Sequence, residues 1–498
     1  MKKFLESHNP CISHILLGIL LMGLFFLRVN KLWETGVFDY DSAKNSIILT
    51  ELNSGNFANL FHHASPGFYL IYLPIHSLFN NFLFLEYFTA LLNLLAIWLL
   101  VLHFSRLFHF NSNMFLWLLA FVGSAVYQIV SSRYLAMEAL SLLLFVLIFI
   151  HYHKSLVRPE NNRYIIFAQI ILSLGVGVNY KFILVILVFW GYEILFAKRK
   201  WNLKMLFTSA FIFVAPFVFY TFLGWLLGIG WDNYGKHFFV QAFIKDMNPN
   251  EEVSKFNLDL LYYVKYFLYF ENPLSWIGII VFLFAYQKKS WAIPLLKLSL
   301  FVVLAFFLGM SLLQKAPRAL LFIFPLIYII GFLGIFALPI KKWIKYGLIT
   351  LGIALNIFLT NENVWKYSNS SYPELASVLK LKSPKKIIST AGLGVSPFLS
   401  PTTQLQIALT REEVKQYKAS GGKYLLFDSY SQIINSQEFE EIKYNSTQIL
   451  FEKEENSLAS PYLFLEHSEY TGLNFEETLL LRKKAIENGL KIRLITFD

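Results

Sequence analysis

Apolar runs of membrane-spanning length recur along this chain, separated by short basic clusters, and this pattern restricts the fold more than any single motif does. Of the 498 residues, 56% are hydrophobic and only 15% are charged, whereas soluble globular domains contain about 25% charged residues. A helix needs about 20 apolar residues to cross a bilayer. The chain is therefore predicted to be a polytopic α-helical membrane protein.

The positions of lysine and arginine give the predicted topology. With the N-terminus inside, eleven spans bring the dense basic clusters at 198–200, 288–289 and 341–345 to the cytoplasmic side, as the positive-inside rule requires. Counting the short apolar segment 66–79 as a span would move those clusters outside, so it is predicted to lie at the interface. The predicted spans are 12–27, 82–104, 114–130, 135–152, 164–178, 182–196, 205–227, 258–286, 291–312, a tenth that returns to Lys341, and 346–359.

The chain is predicted to have two domains. The transmembrane domain covers residues 1–360, with a first outer loop at 28–82 and a second at 230–257. From residue 361 the sequence becomes polar, and short β-type runs alternate with helical stretches, which predicts an extracytoplasmic α/β domain over 361–498. The runs are 386–390, 424–428, 448–451 and 492–496, and the helical stretches are 374–381 and 476–488.

Charge and motif content exclude several other classes. The net charge of +11 does not indicate nucleic-acid binding, because the basic residues do not form one patch or stripe. A single cysteine, Cys11, excludes an intrachain disulfide. Gly392 and Gly394 follow a predicted strand, but the third glycine and the later acidic residue of a dinucleotide-binding loop are missing. No zinc or calcium motif is present.

The first outer loop carries two aspartates, Asp39 and Asp41, beside the bilayer. An ionisable residue there is costly unless it has a partner or a function. Positions two apart diverge on a helix, and the segment 42–52 is predicted to be helical. We therefore favour Asp41 as the residue that faces a site, with Asp39 as its support. The alternative is that Asp41 only caps the helix that begins at Ser42.

Cations at outer turns are unexpected under the positive-inside rule, and four of them are candidates for phosphate binding: Arg133, Lys181, Lys315 and Arg318. Arginine forks and lysine point charges both suit phosphate. Each position also has a structural alternative. Arg133 could pair with Glu138, Lys181 could extend to the interface, and Lys315 and Arg318 could contact ordinary headgroups.

His62, His63 and Trp231 lie on the same predicted outer surface. Adjacent histidines on a helix do not converge on one metal ion, so interfacial polarity is the alternative to a functional role for the pair. Trp231 belongs to the aromatic second outer loop, where its ring could stack on a sugar or guide a prenyl chain.

The order of these features resembles the GT-C glycosyltransferases. The segment Asp-Ser-Ala-Lys at 41–44 precedes a helix, Ser54 to Phe57 follows, and then comes the aromatic Ser65 to Tyr69 segment with Pro66. Glu138, Lys181 after a glycine-rich run, and 315–318 leading into Phe324-Pro325 continue the likeness over residues 10–340. It is most similar to bacterial relatives of protein O-mannosyltransferases and of the lipid A aminoarabinose transferase.

The resemblance implies transfer of a sugar from a polyprenyl-phosphate donor to a hydroxyl acceptor at the outer face of a bacterial cytoplasmic membrane, with inversion. Asp41 would be the base, and the four cations would hold the leaving phosphate. Glu138, His62, His63 and Trp231 would support the acceptor or the sugar. No cofactor is required, and the implied partners are the lipid-linked sugar, membrane lipid and an acceptor protein, lipid or glycan.

Two departures from the family pattern leave the acceptor and any divalent metal open. Ser42 stands where the family's acidic pair has glutamate, and Pro66 alone stands for a double proline. A lipid-linked sugar transporter or flippase is the second reading, although the paired halves and broken helices of transporters are not recognisable. A receptor or assembly subunit is the third, but eleven spans exceed what an anchor needs.

Overall fold

The computed structural model describes residues 10–35, 40–197, 199, 201–244, 256–285, 293–313, 315–390, 394–400, 403–408, 410–428, 439 and 442–497. These residues form a helical bundle followed by a small domain that contains a five-stranded sheet. The predicted fold class is confirmed. Asp39 and the Gly392 position lie outside the described residues.

The bundle helices include short elements as well as long ones. In chain order they are α1 (Pro10–Val29), α2 (Tyr40–Asn53), α3 (Pro66–Phe79), α4 (Phe82–Leu107), α5 (Ser112–Gly123), α6 (Val126–Ser131), α7 (Glu138–Val157), α8 (Asn162–Val178), α9 (Phe182–Tyr192), α10 (Leu203–Leu226), α11 (Asn233–Phe239), α12 (Leu261–Phe270), α13 (Pro273–Ala285), α14 (Pro294–Ser311), α15 (Phe324–Ala337) and α16 (Lys342–Asn363).

Six helical segments of the described chain are long and apolar enough to cross a membrane, and they correspond to α1, α4, α7, α10, α14 and α16. Shorter apolar helices are α5, α8, α9, α13 and α15. Together they follow the order of the eleven predicted spans, whose number stays a prediction. Along α10, Phe207, Phe211, Val218 and Trp225 are all exposed, which suits contact with lipid rather than water. The chain is a multi-pass membrane protein.

Two predicted spans are interrupted, and the prediction of continuous helices was wrong there. Span 114–130 divides into α5 and α6, and span 258–286 divides into α12 and α13. At the second break, Glu271 accepts hydrogen bonds from the Tyr127 backbone N at 2.9 Å and from Tyr328 Oη at 2.7 Å. Asn272 donates to the Gly352 carbonyl at 2.7 Å. Neighbouring helices thus supply the polar partners that a broken helix needs away from water.

Helices α13 and α15 approach each other most closely through small residues. A methyl group added to Gly334 would overlap the Gly278 carbonyl oxygen, and one added to Gly331 would overlap Ser275. Close backbone approach through glycine and serine is a common way for helices to pack in membranes, because lipid supplies no hydrophobic drive between them. This contact helps to hold the second half of the bundle together.

The C-terminal part contains a mixed five-stranded sheet with helices around it. In chain order the elements are α17 (Tyr372–Lys382), β1 (Lys386–Thr390), β2 (Gln404–Ala408), α18 (Arg411–Ala419), β3 (Tyr424–Asp428), β4 (Ile449–Glu454), α19 (Pro461–Thr471), α20 (Phe475–Glu487) and β5 (Lys491–Thr496). The strand order is β2-β1-β3-β5-β4, in which β1 pairs in parallel with β2 and β3, and β5 pairs antiparallel with β3 and β4. Sequence inspection missed β2, α18 and α19.

Helix α19 docks this domain onto the bundle. Tyr462 and Leu465 are buried in the same apolar core as the bundle helices. Ser468 Oγ lies 2.8 Å from Tyr262 Oη and donates to the Lys315 carbonyl at 2.6 Å. The domain is therefore packed against one end of the bundle, and residues of α19 lie beside the outer-loop residues of the sequence prediction.

Candidate active site

Asp41 lies inside α2, which begins at Tyr40, so the expected helix start at Ser42 was two residues too late. Its carboxylate is directed at residues far away in sequence. Oδ2 accepts a hydrogen bond from Arg318 Nη1 at 3.0 Å, and Oδ1 lies 3.6 Å from His63 Nε2. Asp41 therefore does more than begin a helix.

Arg318 contacts two further carboxylates, both from α19. Its Nε lies 3.5 Å from Glu466 Oε2, and its Nη2 is paired with Glu469. The four side chains, which we call the Arg318 cluster (Arg318, Asp41, Glu466 and Glu469), are only 9–16% exposed. One guanidinium thus faces three carboxylates in a nearly buried site, where charge pairs are screened much less than at a surface.

Glu466 has the most enclosed environment in the Arg318 cluster. Tyr127 Oη donates to Oε1 at 2.7 Å, and the Arg318 backbone N donates to Oε2 at 3.4 Å. Burial raises the pKa of Glu466 to about 7, although the Arg318 charge and the Tyr127 hydrogen bond act in the opposite direction. This carboxyl group therefore exchanges its proton near neutral pH.

The sequence prediction did not include Glu466 or Glu469. Their segment carried two usable signals. Pro461 after Ser460 is a favoured start for a helix, and two acids three residues apart share one helix face. Two acidic side chains on one helix face of a membrane-bound chain are costly without a cationic partner. Here the partner is Arg318.

The histidine pair lies in a strained turn beside Asp41. His63 and Ala64 have φ values of 52° and 53°, a left-handed conformation that costs energy for residues other than glycine and is often found at functional sites. The two histidine rings are 4.0 Å apart between centroids. Burial, followed by the charges of His63 and Lys44, lowers the pKa of His62 to about 2.

The second outer loop packs on this turn through α11. Phe61 and Tyr234 rings lie 5.8 Å apart, and burial and the nearby His63 lower the pKa of His237. Trp231 is 65% exposed at the start of this segment. Within the described ranges, no group of three or more His, Cys, Asp or Glu side chains is arranged to hold a metal ion.

Arg133 is buried, and its guanidinium is hydrogen-bonded to main-chain oxygens and a serine hydroxyl. Its Nη1 donates to the carbonyls of Arg28 at 2.8 Å and Asn30 at 2.7 Å, and its Nη2 donates to Ser368 Oγ at 3.0 Å. The alternative pairing with Glu138 is not formed, and the Oε2 atom of Glu138 is buried without a hydrogen-bond partner. Arg133 thus links the end of α1 to the segment after α16.

Lys315 likewise donates hydrogen bonds to main-chain oxygens. It is 2% exposed, and its Nζ donates to the Ser311 carbonyl at 3.0 Å and to the carbonyls of Asn257 and Leu313. Burial lowers its pKa to about 8. The ammonium group thus joins the end of α14 to the segment before α12.

Lys181 differs from both, because it is only partly buried at the start of α9. In the described part of the chain no carboxylate lies within 4.0 Å of its Nζ. The neighbouring Tyr180 has its pKa raised mainly by burial, and the charges of Lys181, Glu469, Arg318 and Asp41 also act on it. The turn with Lys181 therefore lies beside the Arg318 cluster.

Comparison with known proteins identifies the fold. No known protein-family profile and no curated protein sequence matches the chain. Among solved structures it is similar to ArnT from Cupriavidus metallidurans bound to undecaprenyl phosphate, with a TM-score of 0.60, 12% identity, and coverage of 86% of this chain and 94% of that one. The same protein in the apo state matches with a TM-score of 0.60 and 11% sequence identity. The match covers 84% of this chain and 93% of that one.

A second neighbour is the oligosaccharyltransferase AglB from Archaeoglobus fulgidus, in complex with an inhibitory peptide and a dolichol-phosphate. Its TM-score is 0.52 at 11% sequence identity, and the match covers 84% of this chain and 69% of that one. ArnT and AglB are both members of the GT-C superfamily, so the resemblance predicted from the sequence is confirmed for the fold. The chain therefore has the fold of the GT-C glycosyltransferases.

Proposed function

We propose that this protein is a glycosyltransferase that moves a sugar from a polyprenyl-phosphate donor to a hydroxyl acceptor. The contact between Asp41 and Arg318 carries the proposal. It places a partly accessible carboxylate, 16% exposed, where α2, the turn before α15 and α19 meet. The solved neighbours support the donor class, since the ArnT structure holds undecaprenyl phosphate and the AglB structure holds a dolichol-phosphate.

Asp41 is the proposed general base. The acceptor oxygen attacks the anomeric carbon while its proton passes to the carboxylate, and the bond from that carbon to the phosphate oxygen breaks. A carboxylate anchored at Oδ2 by Arg318 keeps a fixed orientation, and a positioned base contributes about 10²–10⁴ in rate. Because the leaving phosphate already carries charge, no acid is needed. A one-step displacement without an enzyme nucleophile gives inversion, by analogy with one-step glycosidases.

Lys181 is the cation that we assign to the leaving lipid phosphate. Arg318 is already opposed by three carboxylates, so an approaching phosphate would meet net negative charge there. We therefore assign Arg318 to positioning Asp41 and Glu469. Arg133 and Lys315 donate hydrogen bonds to main-chain oxygens, and we assign them no contact with the lipid-linked sugar. His63 and the exposed Trp231 are proposed to contact the sugar or the acceptor.

The membrane face of the site is also part of the proposal. The basic clusters of the sequence lie on the side that the positive-inside rule assigns to the cytoplasm. The Arg318 cluster and the C-terminal domain would then face the extracytoplasmic side of a bacterial inner membrane. We propose that the lipid-linked sugar and the hydroxyl acceptor both reach the site from that side.

Turnover of a panel of polyprenyl-phosphate sugars by the purified protein in lipid nanodiscs tests the proposal. We expect wild type to release sugar from at least one donor and Asp41→Asn to lose activity by about 10²–10⁴. Glu374→Gln is the matched control, because Glu374 forms an exposed ion pair with Lys453 at 2.7 Å on the C-terminal domain. Donor binding without turnover by wild type would favour a transporter, and absence of binding would refute the donor class.

A further inference from the structure

A second charged region lies at the opposite end of the bundle. Phe82, at the start of α4, packs near Leu405 of β2, and Arg106 lies about 36 Å further along the same helix. Around the far ends of α4 and α7 and the start of α8 is a cavity of about 530 Å³. This volume is within the usual range of ligand sites, about 300–1,000 Å³.

The cavity is lined by basic and histidine side chains together with aliphatic ones. The basic and histidine residues lining it are His103, Arg106, His151, His153, Lys154 and Arg158, and Tyr164 lines it as well. In the described chain, Arg106, Lys154 and Arg158 have no carboxylate within 4.0 Å. By contrast Arg199, near the same end, is paired with Glu193 at 2.8 Å. The cavity therefore concentrates positive charge that the described residues do not neutralise.

His153 supplies an independent indication of a ligand. It is 3% exposed, and its Nδ1 lies 3.0 Å from His103 Nε2. Its Nε2 is buried without a hydrogen-bond partner, which is uncommon because buried polar groups are nearly always satisfied. In the tautomer in which His103 donates to Nδ1, the Nε2–H of His153 remains to donate to an oxygen acceptor.

We propose that this cavity binds the phosphate headgroup of an acidic membrane lipid. The three cations match phosphate oxygens in charge and in hydrogen bonding, and His153 Nε2 can donate to them in the tautomer in which His103 donates to Nδ1. Aliphatic side chains, among them Leu99, Leu102, Leu147 and Val157, also line the cavity, and Val157 is exposed to the surroundings of the bundle. A lipid fits both surfaces, with its phosphate among the cations and its acyl chains along the leucines. A soluble phosphate compound would use only the first surface.

Basic pockets between transmembrane helices are known to favour anionic headgroups. A headgroup with two phosphates matches three cations better than one with a single phosphodiester, so cardiolipin is the appropriate probe. The site is separate from the Arg318 cluster and does not depend on the proposed transferase activity.

Native mass spectrometry of the full chain, released from phosphatidylcholine nanodiscs that contain increasing cardiolipin, tests the proposal. The cavity variant is Arg106→Gln/Lys154→Gln/Arg158→Gln. The control variant, Arg163→Gln/Lys204→Gln/Lys341→Gln, removes the same charge from exposed residues at the same end of the bundle, none of which lines the cavity. We expect the cavity variant to lose about a hundredfold in affinity, equivalent to about 2.7 kcal/mol, and the control to change by less than about twofold.

Equal losses in the two variants would overturn the proposal, because they would show only diffuse attraction to a basic surface. A second arm adds inorganic phosphate at millimolar concentration to protein in pure phosphatidylcholine. Thermal stabilisation by phosphate that the cavity variant lacks, without stabilisation by cardiolipin, would identify a soluble ligand and overturn the lipid assignment. If the triple variant does not fold, Lys154→Gln against Arg163→Gln decides, with an expected loss of about fivefold.

Discussion

The cations at the two ends of the helical bundle have different partners. At the end with the C-terminal domain, Arg318 is held by Asp41, Glu466 and Glu469. At the other end, Arg106 and Lys154 line a cavity without a carboxylate partner in the described chain. A cation near a membrane can therefore either pair with carboxylates inside the protein or remain available to a ligand, and only its neighbours distinguish these two roles.

The largest expected effect comes from removing the guanidinium that the three carboxylates share. Arg318→Ala should lower the free energy of unfolding by about 3–5 kcal/mol, since it leaves nearly buried carboxylates without their cation. Arg106→Ala should stay within about 0.5 kcal/mol of wild type in phosphatidylcholine. Steric trapping in bicelles measures both. Adding Glu469→Gln to Arg318→Ala should recover part of the loss, and equal costs for the two arginines would contradict the comparison.

The next effect is the contribution of Glu466 to the pH dependence of stability. Burial raises the pKa of Glu466 from 4.5 to about 7, so between these values the folded state holds more protons than the unfolded state. The stability contributed by this group is full below about pH 4.5 and is lost as the pH rises through about 7, by about 3 kcal/mol in all.

Unfolding free energies of wild type and Glu466→Gln between about pH 5 and pH 8 check this sign. Wild type should lose stability relative to Glu466→Gln as the pH rises, because glutamine does not titrate, whereas the difference between wild type and Glu374→Gln should stay constant with pH. An unchanged slope in Glu466→Gln would refute the assignment.

A third test compares two lysines that the sequence could not distinguish. Lys315→Met should cost about 1–3 kcal/mol of stability, because it removes the donor for buried carbonyls. Lys181→Met should change stability by less than about 0.5 kcal/mol but lower donor turnover by about a hundredfold, as expected for loss of one contact to a developing charge. Unfolding and turnover measured on the same preparations separate the roles. A pure stability loss in Lys181→Met would contradict its proposed phosphate contact.

The smallest expected effect is a difference in salt sensitivity. Raising the ionic strength from about 0.1 M to 1 M shortens the Debye length from about 10 Å to 3 Å. Cardiolipin binding by the open basic cavity should weaken, whereas the stability difference between wild type and Arg318→Ala should change little because the cluster is nearly buried. Salt titrations of both quantities check this. Loss of the Arg318 contribution in high salt would show that the cluster is solvent-screened.

Features that depend on local sequence were predictable. Apolar runs of membrane-spanning length led to the order of the bundle helices, and the β-type runs at 386–390 and 424–428 coincide with β1 and β3. Strand β2 was missed because its residues alternate amides with aliphatics and lie mostly half-exposed at the sheet edge. The interruption at Glu271 was missed because a carboxylate inside an apolar run acquires its partners only from other helices.

The candidate site was predictable only in part. Asp41, Arg318 and His63 were named from their outer position, and the structure brings them together. Glu466 and Glu469 were not named, because they belong to a domain that sequence inspection treated as separate from the membrane part.

Composition and periodicity over short windows were enough to predict the membrane class, the order of the apolar helices and the mixed α/β character of the C-terminal domain. Contacts between distant parts of the chain were needed to learn that Arg318 is paired with carboxylates, that Arg133 and Lys315 donate to main-chain oxygens, and that Arg106 lines a cavity. The physical reason is that Coulomb energy depends on distance in space, and Arg318 meets Asp41 across 277 positions of the chain.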